Sequence, residues 1–362
     1  LFAGTREGLF GLDLSTGLAD RRTATAWSRI RREHSGAILS MLMLDAETLS
    51  IGVERSGIAF VDVGSLGVSW MPDDSGAPAD LGSNMATPTL VDRSGVLWIV
   101  DRTGGLGRYP LQQHTFKLFQ SDPNDAHTLS GNYIRGICND RDGRLWISTQ
   151  FHGLNLLDEK TGRAKRYQRS TGGMPGDGVF DVLRDREGVV WAGLIDGQGL
   201  ARLDRRTDRF LPSPLVKGVD VLDLYEDLHG TLWVSTTSGL FEIPKNRRSA
   251  IRHDSDYGPG IGGVFGYLQL VFVDRRDDIW IGMGGGLRRV ERATGRLVDY
   301  APRLGITDNQ ILVTSFHASE HLGCSRAGTR DQQQADDAGE LAPSRRPSQL
   351  DDLVVRHEQP EE

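Results

Sequence analysis

Short runs of consecutive apolar residues, most of them centred on a tryptophan, recur along the chain between polar turns. Four of the runs follow a turn that ends at glycine, as in Asp140-Arg141-Asp142-Gly143 before Leu145-Trp146-Ile147, and a second apolar run begins at Gly153. Aspartate first and glycine fourth suit a tight hairpin turn. A strand that is apolar on consecutive residues is one that is buried on both faces. The pattern therefore predicts hairpins whose strands are covered on both sides.

This unit is repeated along the chain. With the tryptophan position as the marker, copies occur at residues 2, 50, 98, 146, 191, 233 and 280, so neighbouring copies lie 42 to 48 residues apart. The first two copies are degraded, because Phe2 and Ser50 replace the tryptophan. Each copy has four strand-like segments, and the last is charged, as the edge strands of sheets often are. Four strands at such a period predict the radially repeated sheets of a β-propeller.

Seven copies predict an all-β fold, a seven-bladed β-propeller of four-stranded blades over residues 1–317. The first copy begins at its second strand, since residues 1–5 already match the tryptophan strand. A strand-like segment at 309–316 follows the last copy, and we expect it to complete the first blade and close the ring. Residues 318–362 are polar, which predicts a disordered tail that is either native or the product of a truncation or frameshift.

Charge and composition exclude several classes of protein. The net charge is −7, and no basic stripe is interleaved with aromatic residues, so we expect no nucleic-acid partner. The sequence has no run of about 18 apolar residues that would span a membrane. It has no His-Glu-x-x-His or Cys-x-x-Cys spacing, so we expect neither a metal nor a cofactor. Leu1 already lies inside a strand pattern, and we expect an N-terminal targeting segment to be missing from this chain.

One unit combines several motifs and is more specific than any single Leu-Trp-Ile run. It contains Thr128-Leu129-Ser130-Gly131-Asn132-Tyr133-Ile134-Arg135, the turn and strand from Asp140 to Thr149, and Gly153-Leu154-Asn155. This combination resembles the two-component regulator propeller repeat, and the resemblance covers roughly residues 1–317. In that family, propellers form the extracytoplasmic sensor region of membrane-bound histidine kinases, hybrid kinases or diguanylate cyclases. Several members are thought to sense oligosaccharides or other nutrients.

The resemblance implies a periplasmic sensor propeller of a bacterial receptor, which binds an oligosaccharide or another small nutrient without catalytic output in this piece. Family members continue into a small β-sandwich, a transmembrane helix and a signalling domain, and they often contain a second propeller. The sequence departs from that pattern after Phe316. The ligand, the output domain and the oligomeric state are left open by the sequence.

The candidates for ligand contact are polar residues in the loops between the second and third strands of each unit. Such loops converge on one face of a propeller, and loops on a rigid scaffold commonly carry function. Two tyrosines in the longer connection at 254–267 would add aromatic surfaces suited to a sugar. The predicted ligand-binding residues are Arg6, Glu54, Arg55, Asp101, Arg102, Gln150, His152, Asp196, Gln198, Tyr257 and Tyr267.

Two other functions stay open, although no catalytic residue is predicted. A propeller lyase would need a histidine and a carboxylate that converge in the channel, and His152 with Asp101 or Asp196 would be the first pair to measure. A protein-interaction scaffold would have a contiguous apolar patch on one face. The spaced aspartates of the turns lack the terminal glutamate of a calcium loop, and the glycines at 284–286 lack the lysine of a phosphate loop. Turn chemistry accounts for both.

Overall fold

The computed structural model describes residues 2–4, 9–13, 18–20, 37–45, 47–71, 86–92, 94–101, 104–112, 116–140, 143–253, 268–274, 277–283, 286–294 and 296–300. All regular elements in these ranges are β-strands, and every strand pairs with its neighbours in an antiparallel manner. They form one three-stranded sheet and six four-stranded sheets, which we call blades 1 to 6.

The strands follow one another in chain order within each sheet. The first sheet consists of β1 (Phe2–Gly4), β2 (Leu9–Asp13) and β3 (Leu18–Asp20). Blade 1 has β4 (Ile38–Met43), β5 (Thr48–Val53), β6 (Gly57–Asp62) and β7 (Val68–Trp70), and blade 2 has β8 (Ala86–Val91), β9 (Val96–Asp101), β10 (Gly105–Pro110) and β11 (Lys117–Phe119). Blade 3 has β12 (Ile134–Asn139), β13 (Arg144–Thr149), β14 (Gly153–Asp158) and β15 (Ala164–Tyr167), and blade 4 has β16 (Val179–Arg184), β17 (Val190–Leu194), β18 (Gly199–Asp204) and β19 (Arg209–Pro212). Blade 5 has β20 (Val221–Glu226), β21 (Leu232–Thr236), β22 (Gly239–Ile243) and β23 (Ile251–His253), and blade 6 has β24 (Leu268–Val273), β25 (Ile279–Met283), β26 (Gly286–Glu291) and β27 (Arg296–Asp299).

The number of blades differs from the prediction. The structure has six four-stranded blades, so the prediction of a seven-bladed propeller of four-stranded blades was wrong. Among the described residues the first sheet has three strands, and β1, which corresponds to the second strand of a blade, pairs there with β2. The segment 309–316, which was expected to supply the missing inner strand, and the tail 318–362 lie outside the described residues.

The core lies between the blades rather than inside any one of them. The first strands of successive blades, β4, β8, β12, β16, β20 and β24, lie side by side and are therefore the inner strands. The second strand of each blade is buried on both faces, as β9 is over its whole length. One apolar cluster joins Trp146 of blade 3 to Val182 and Phe210 of blade 4, and another joins Trp98 of blade 2 to Ile137 of blade 3.

Each blade has two distinct ends. The loop face carries the connection between the second and third strands together with the connection that leads into the inner strand, because Thr149 pairs with both Ile134 and Gly153. The turn face, at the opposite end, carries the turns from inner to second strand and from third to outer strand. On the loop face, connections of neighbouring blades meet, since Gly153 N donates to Asp177 O at 2.7 Å.

An aspartate at the start of the turn fixes the tryptophan in four of the blades. In blade 5, Asp227 accepts the indole N–H of Trp233 at 3.0 Å through Oδ2, and its Oδ1 accepts the backbone N–H of His229 and Thr231. The same indole bond joins Trp98 to Asp92, Trp191 to Asp185 and Trp280 to Asp274. One carboxylate therefore shapes the turn and satisfies the polar atom of a side chain that is otherwise apolar.

An arginine from the next blade neutralises several of these aspartates. Arg247 of blade 5 lies 3.4 Å from Asp185 of blade 4, and Arg292 of blade 6 lies 3.7 Å from Asp227 of blade 5. Arg247 also binds Glu226 at 3.0 Å. Burial raises the pKa of Glu226, and nearby Asp185 adds to the rise, while the Arg186 amide and Arg247 offset part of it. These arginines link neighbouring blades on the turn face.

Blade 3 departs from this arrangement. Asp140 binds Arg144 at 2.9 Å through Oδ2, and its Oδ1 lies 3.5 Å from Arg184 of blade 4. The indole nitrogen of Trp146 is buried and has no hydrogen-bond partner among the described residues. A buried donor without a partner costs roughly 1–3 kcal/mol. Trp146 is held instead by ring contacts with Tyr167 and Phe210, at centroid distances of 5.4 and 5.7 Å.

Tyr167 connects blade 3 to blade 4 through a polar contact at the rim of this cluster. Its ring is 3% exposed, and its hydroxyl donates to Oδ1 of Asp208 at 2.9 Å. Lys165 forms an ion pair with the same carboxylate. Burial raises the pKa of Tyr167 to about 12, and the hydrogen bond to Asp208 contributes to the rise. The phenol therefore keeps its proton more strongly in the folded chain than in the unfolded chain.

We expect Trp233→Phe to destabilise the protein more than Trp146→Phe does. Both changes remove similar apolar area, but Trp233→Phe leaves Oδ2 of Asp227 without its indole donor, whereas Trp146→Phe deletes a donor that has no described partner. The difference should be about 1–2 kcal/mol in the free energy of unfolding, measured by urea denaturation. Equal losses in the two variants would show that the aspartate contributes nothing beyond packing.

We expect Tyr167 to make the free energy of unfolding depend on pH in alkaline solution. Because the folded pKa of about 12 exceeds the ordinary value of 10.0, the contribution of Tyr167 is complete below pH 10.0 and is lost as pH rises towards the folded value. The advantage of the wild type over Tyr167→Phe should therefore shrink by about 2–3 kcal/mol across this window. Urea unfolding at stepped pH measures it, and a constant difference would contradict the assignment.

Candidate functional site

The loop between β13 and β14, residues 150–152, is short and held by its own backbone. Gln150 N donates to Tyr133 O at 3.0 Å, which joins this loop to the entry of the inner strand. The hydroxyl of Thr149 donates to Gly153 O at 2.8 Å and accepts the N–H of His152 at 3.2 Å. The side chains of Gln150, Phe151 and His152 therefore project from a fixed turn on the loop face.

The ring of His152 packs against Gly131. A β-carbon at Gly131 would lie 2.6 Å from Nδ1 of His152, a separation that real β-carbons do not show. Glycine at this position therefore allows the histidine to sit against the backbone of the connection into β12. His152 remains largely exposed to solvent.

The long connection before β12 is pinned by two polar side chains. Arg166 donates to the carbonyl oxygens of Asp125, Thr128 and Leu129 at 2.8–2.9 Å. Asn155, buried on β14, accepts the N–H of Ser130 at 2.8 Å and donates to its hydroxyl at 2.9 Å. These bonds fix the loop that carries Gly131 and Tyr133, so the loop face of blade 3 is ordered before any ligand arrives.

An aromatic pair stands on this face. Phe151 is 56% exposed, and its ring meets that of Tyr133 edge-on at a centroid distance of 5.8 Å. Nearby on the inner strands, the guanidinium of Arg135 lies 3.9 Å from the ring centroid of Phe180 in blade 4. Both Arg135 and Phe180 sit where the register shifts between the inner and second strands. A bulge of this kind redirects a side chain, and bulges are frequent beside binding sites.

The loops of the other blades place further predicted residues on the same face. In blade 1, Glu54 N donates to Ala37 O at 2.9 Å, and Arg55 is exposed with a φ of 60°. In blade 4, Asp196 has a φ of 59°, and Gln198 packs against Gly176. Gly197 N donates to Asp220 at 2.8 Å, which ties this loop to the entry of blade 5. The polar side chains of Arg55, Asp196 and Gln198 are exposed.

Asp101 occupies a different environment from the other candidates. It ends β9, is 4% exposed, and accepts the N–H of Gly104 at 3.0 Å, so it stabilises its own turn. Within the described residues, no hydrogen bond or ion pair joins His152 to Asp101 or Asp196. Of the remaining candidates, four lie outside the described residues, namely Arg6, Arg102, Tyr257 and Tyr267.

The aromatic residues of the loop face in blade 3 were not among the predicted ligand-binding residues. Tyr133 and Phe151 were assigned to a strand and a loop, and neither was named as a contact residue. An aromatic residue between Gln150 and His152 in a turn is the signal that could have identified Phe151. Arg135 and Phe180 could not be found in this way, because the register shift that exposes them follows from pairing with the second strand.

Comparison with known proteins identifies the repeat. Residues 128–151, which include the second part of the pinned loop, β12, β13 and the turn up to Phe151, match the family described as "Two component regulator propeller". The chain carries the two-component regulator propeller repeat. No match to this chain is found among curated proteins.

Solved structures with a similar fold include extracellular domains of hybrid two component systems. The extracellular domain of the hybrid two component system BT3049 from B. thetaiotaomicron is 20% identical, with a TM-score of 0.60 over 75% of this chain and 36% of that chain. The corresponding domain of BT4673 from the same organism is 21% identical, with a TM-score of 0.58 over 73% and 36%. The chain thus spans about a third of these two structures.

The fold is also shared with an enzyme. Virginiamycin B lyase from Staphylococcus aureus is 11% identical, with a TM-score of 0.55 over 73% of this chain and 84% of that chain. At such identities the likeness concerns the fold alone. In the described part of the propeller, no group of three or more His, Cys, Asp or Glu residues could hold a metal ion. None of its described segments is a helix long and apolar enough to cross a membrane.

The positive φ of Arg55 gives a stability prediction for the propeller. A left-handed backbone costs an ordinary residue roughly 1–2 kcal/mol, and glycine avoids this cost. We expect Arg55→Gly to be about 1 kcal/mol more stable than Arg55→Ala, because both lose the side chain and only alanine keeps the strain. Thermal and urea unfolding of the two variants measure the difference. Equal stabilities would mean that the turn relaxes at no cost.

Proposed function

We propose that this propeller is the ligand-recognising sensor of a bacterial membrane-bound receptor of the two-component or cyclic-dinucleotide type, located in the periplasm. The repeat at 128–151 supports this proposal. So does the fold, which resembles the extracellular domains of hybrid two component systems. The signal would pass to a sandwich, a membrane helix and an output domain beyond this chain, and a second propeller could accompany them.

The ligand we propose is an oligosaccharide or another small nutrient. The supporting observation is the exposed ring of Phe151, which is held edge-on by Tyr133 and flanked by Gln150 and His152. An aromatic face beside amide and imidazole groups suits a sugar, because the ring covers its C–H surface while the polar groups bond its hydroxyls. The pinned loop at 120–133 reduces the ordering cost of binding.

A protein-interaction scaffold is the second candidate, and a specific feature favours it. Leu211 on β19 and Ile251 on β23 are 48% and 49% exposed, and both lie on outer strands. Exposed apolar side chains on an edge strand suit contact with another protein. A lyase activity has less support, because His152 has no carboxylate partner in the described part of the chain.

Binding of glycans to the purified chain tests the proposal. Thermal shift against neutral and acidic oligosaccharides selects a ligand, and calorimetry measures its affinity. We expect Phe151→Ala to weaken binding about tenfold, since loss of one stacking ring costs on the order of 1 kcal/mol or more. The matched control is Leu228→Ala, which removes a 50%-exposed apolar side chain from the turn face.

The outcomes separate the candidates. Saturable binding that Phe151→Ala weakens and Leu228→Ala leaves unchanged would support a sugar site on the loop face. Binding that neither variant alters would place the ligand elsewhere. If no oligosaccharide binds to folded protein, the sugar-sensor proposal fails and the scaffold becomes the better candidate.

A further inference from the structure

A cleft opens on the turn face between blades 2 and 3, at the opposite end of the blades from the candidate sugar site. It has a volume of about 410 Å³, within the range of roughly 300–1,000 Å³ that is usual for small-molecule sites. Blade 2 contributes residues of β10, β11 and the turn before β9, and blade 3 contributes its two turns. The lining residues are Ser94, Arg108, Lys117, Gly143, Glu159 and Lys160.

The lining is positively charged on a chain that is acidic overall. Among the described lining residues, Arg108, Lys117 and Lys160 face a single carboxylate, Glu159, which leaves an excess of two positive charges there, while the whole chain carries −7. A charge excess of one sign inside a concave surface concentrates its field and attracts ions of the opposite sign. The cleft is therefore suited to an anion.

Two of the three cationic groups of the cleft make contacts with neighbouring side chains. Nε of Arg108 donates to Oε1 of Glu159 at 2.9 Å, which fixes the guanidinium plane, and its terminal nitrogens make no hydrogen bond within the described residues. Nζ of Lys117 lies 4.7 Å from the ring centroid of Phe119. A guanidinium fixed in this way presents parallel N–H donors that fit the oxygens of carboxylates and phosphates.

Among the described residues, the cleft has free space beside Gly143 and lacks an interblade contact that is present at three later junctions. Gly143 has a φ of 73°, and a β-carbon there would meet nothing within 4 Å. At three later junctions an arginine from the following blade reaches the turn aspartate of the blade before it. At this junction no such arginine reaches Asp92 within the described residues, and the blades are joined by Arg108 and Glu159, which lie closer to solvent.

We propose that this cleft binds a small anion that carries phosphate, sulfate or carboxylate groups. Arg108 contacts two oxygens of one anionic group, and Lys117 and Lys160 neutralise the remaining charge. Ser94 already donates to Asp92 at 2.7 Å and so shapes the wall of the cleft rather than contacting the anion. The site is independent of the loop face, and it gives the propeller a second ligand.

Calorimetry of the whole chain with inorganic phosphate, sulfate and citrate tests the proposal, in chloride buffer at constant ionic strength. We expect saturable binding of at least one of these anions. Lys117→Met and Lys160→Met should each weaken it about fivefold, the effect of about 1 kcal/mol. The matched control is Lys217→Met, which removes an exposed lysine from the connection between blades 4 and 5 on the loop face.

Two results would overturn the proposal. Either no saturable binding of the three anions to folded protein, or an equal loss in Lys217→Met, would mean that the charges of the cleft form no site. Lys160→Met should leave glycan binding at the loop face unchanged. Failure of the anion test and failure of the sugar test are therefore distinguishable.

Discussion

Every blade of this propeller has two apolar faces and can bury them only against its neighbours. The five tryptophans of the second strands are all among the largest fully buried side chains, and the clusters that contain Trp98, Trp146 and Trp191 include side chains of the following blade. A single four-stranded sheet cut from the chain would expose both faces to water. Stability therefore resides in the contacts between blades, as in other repeat proteins, and local strand preferences contribute less.

Burying the tryptophans also removes their indole N–H groups from water. Each indole carries one N–H inside the core, and in four of the blades a carboxylate that begins the preceding turn accepts it. The buried carboxylate then needs a cation, and arginines of the following blade supply it at three junctions. Breaking such a pair leaves a buried charge, which is more costly than the pair is stabilising. The aspartate and arginine side chains of the turn face are consequently occupied by contacts between blades.

The repeat, its four strands and its buried tryptophans could be predicted because each follows from local sequence. Gly-Arg-Leu-Trp-Ile identifies a strand, and Asp140 to Gly143 identifies the turn before it. The blade count could not be predicted in the same way, because no local pattern fixes how many strands pair in the sheet that contains β1. Similarly, Asp101 was grouped with exposed loop residues, although it is buried at the end of β9. Its burial depends on the neighbouring chain rather than on its own motif.

The loop face and the turn face differ in how they can accommodate a ligand. On the loop face, backbone bonds at Gln150 and Gly153 fix the connections, so exposed side chains such as Phe151 can change without disturbing the contacts between blades. On the turn face, a ligand site requires a junction that the arginine–aspartate contact leaves open. Within the described part of the chain, the junction of blades 2 and 3 meets that condition, because Arg108 points to Glu159 rather than to a turn aspartate. The absence of this contact from the described residues at the junction of blades 2 and 3 thus leaves room where a second ligand can enter.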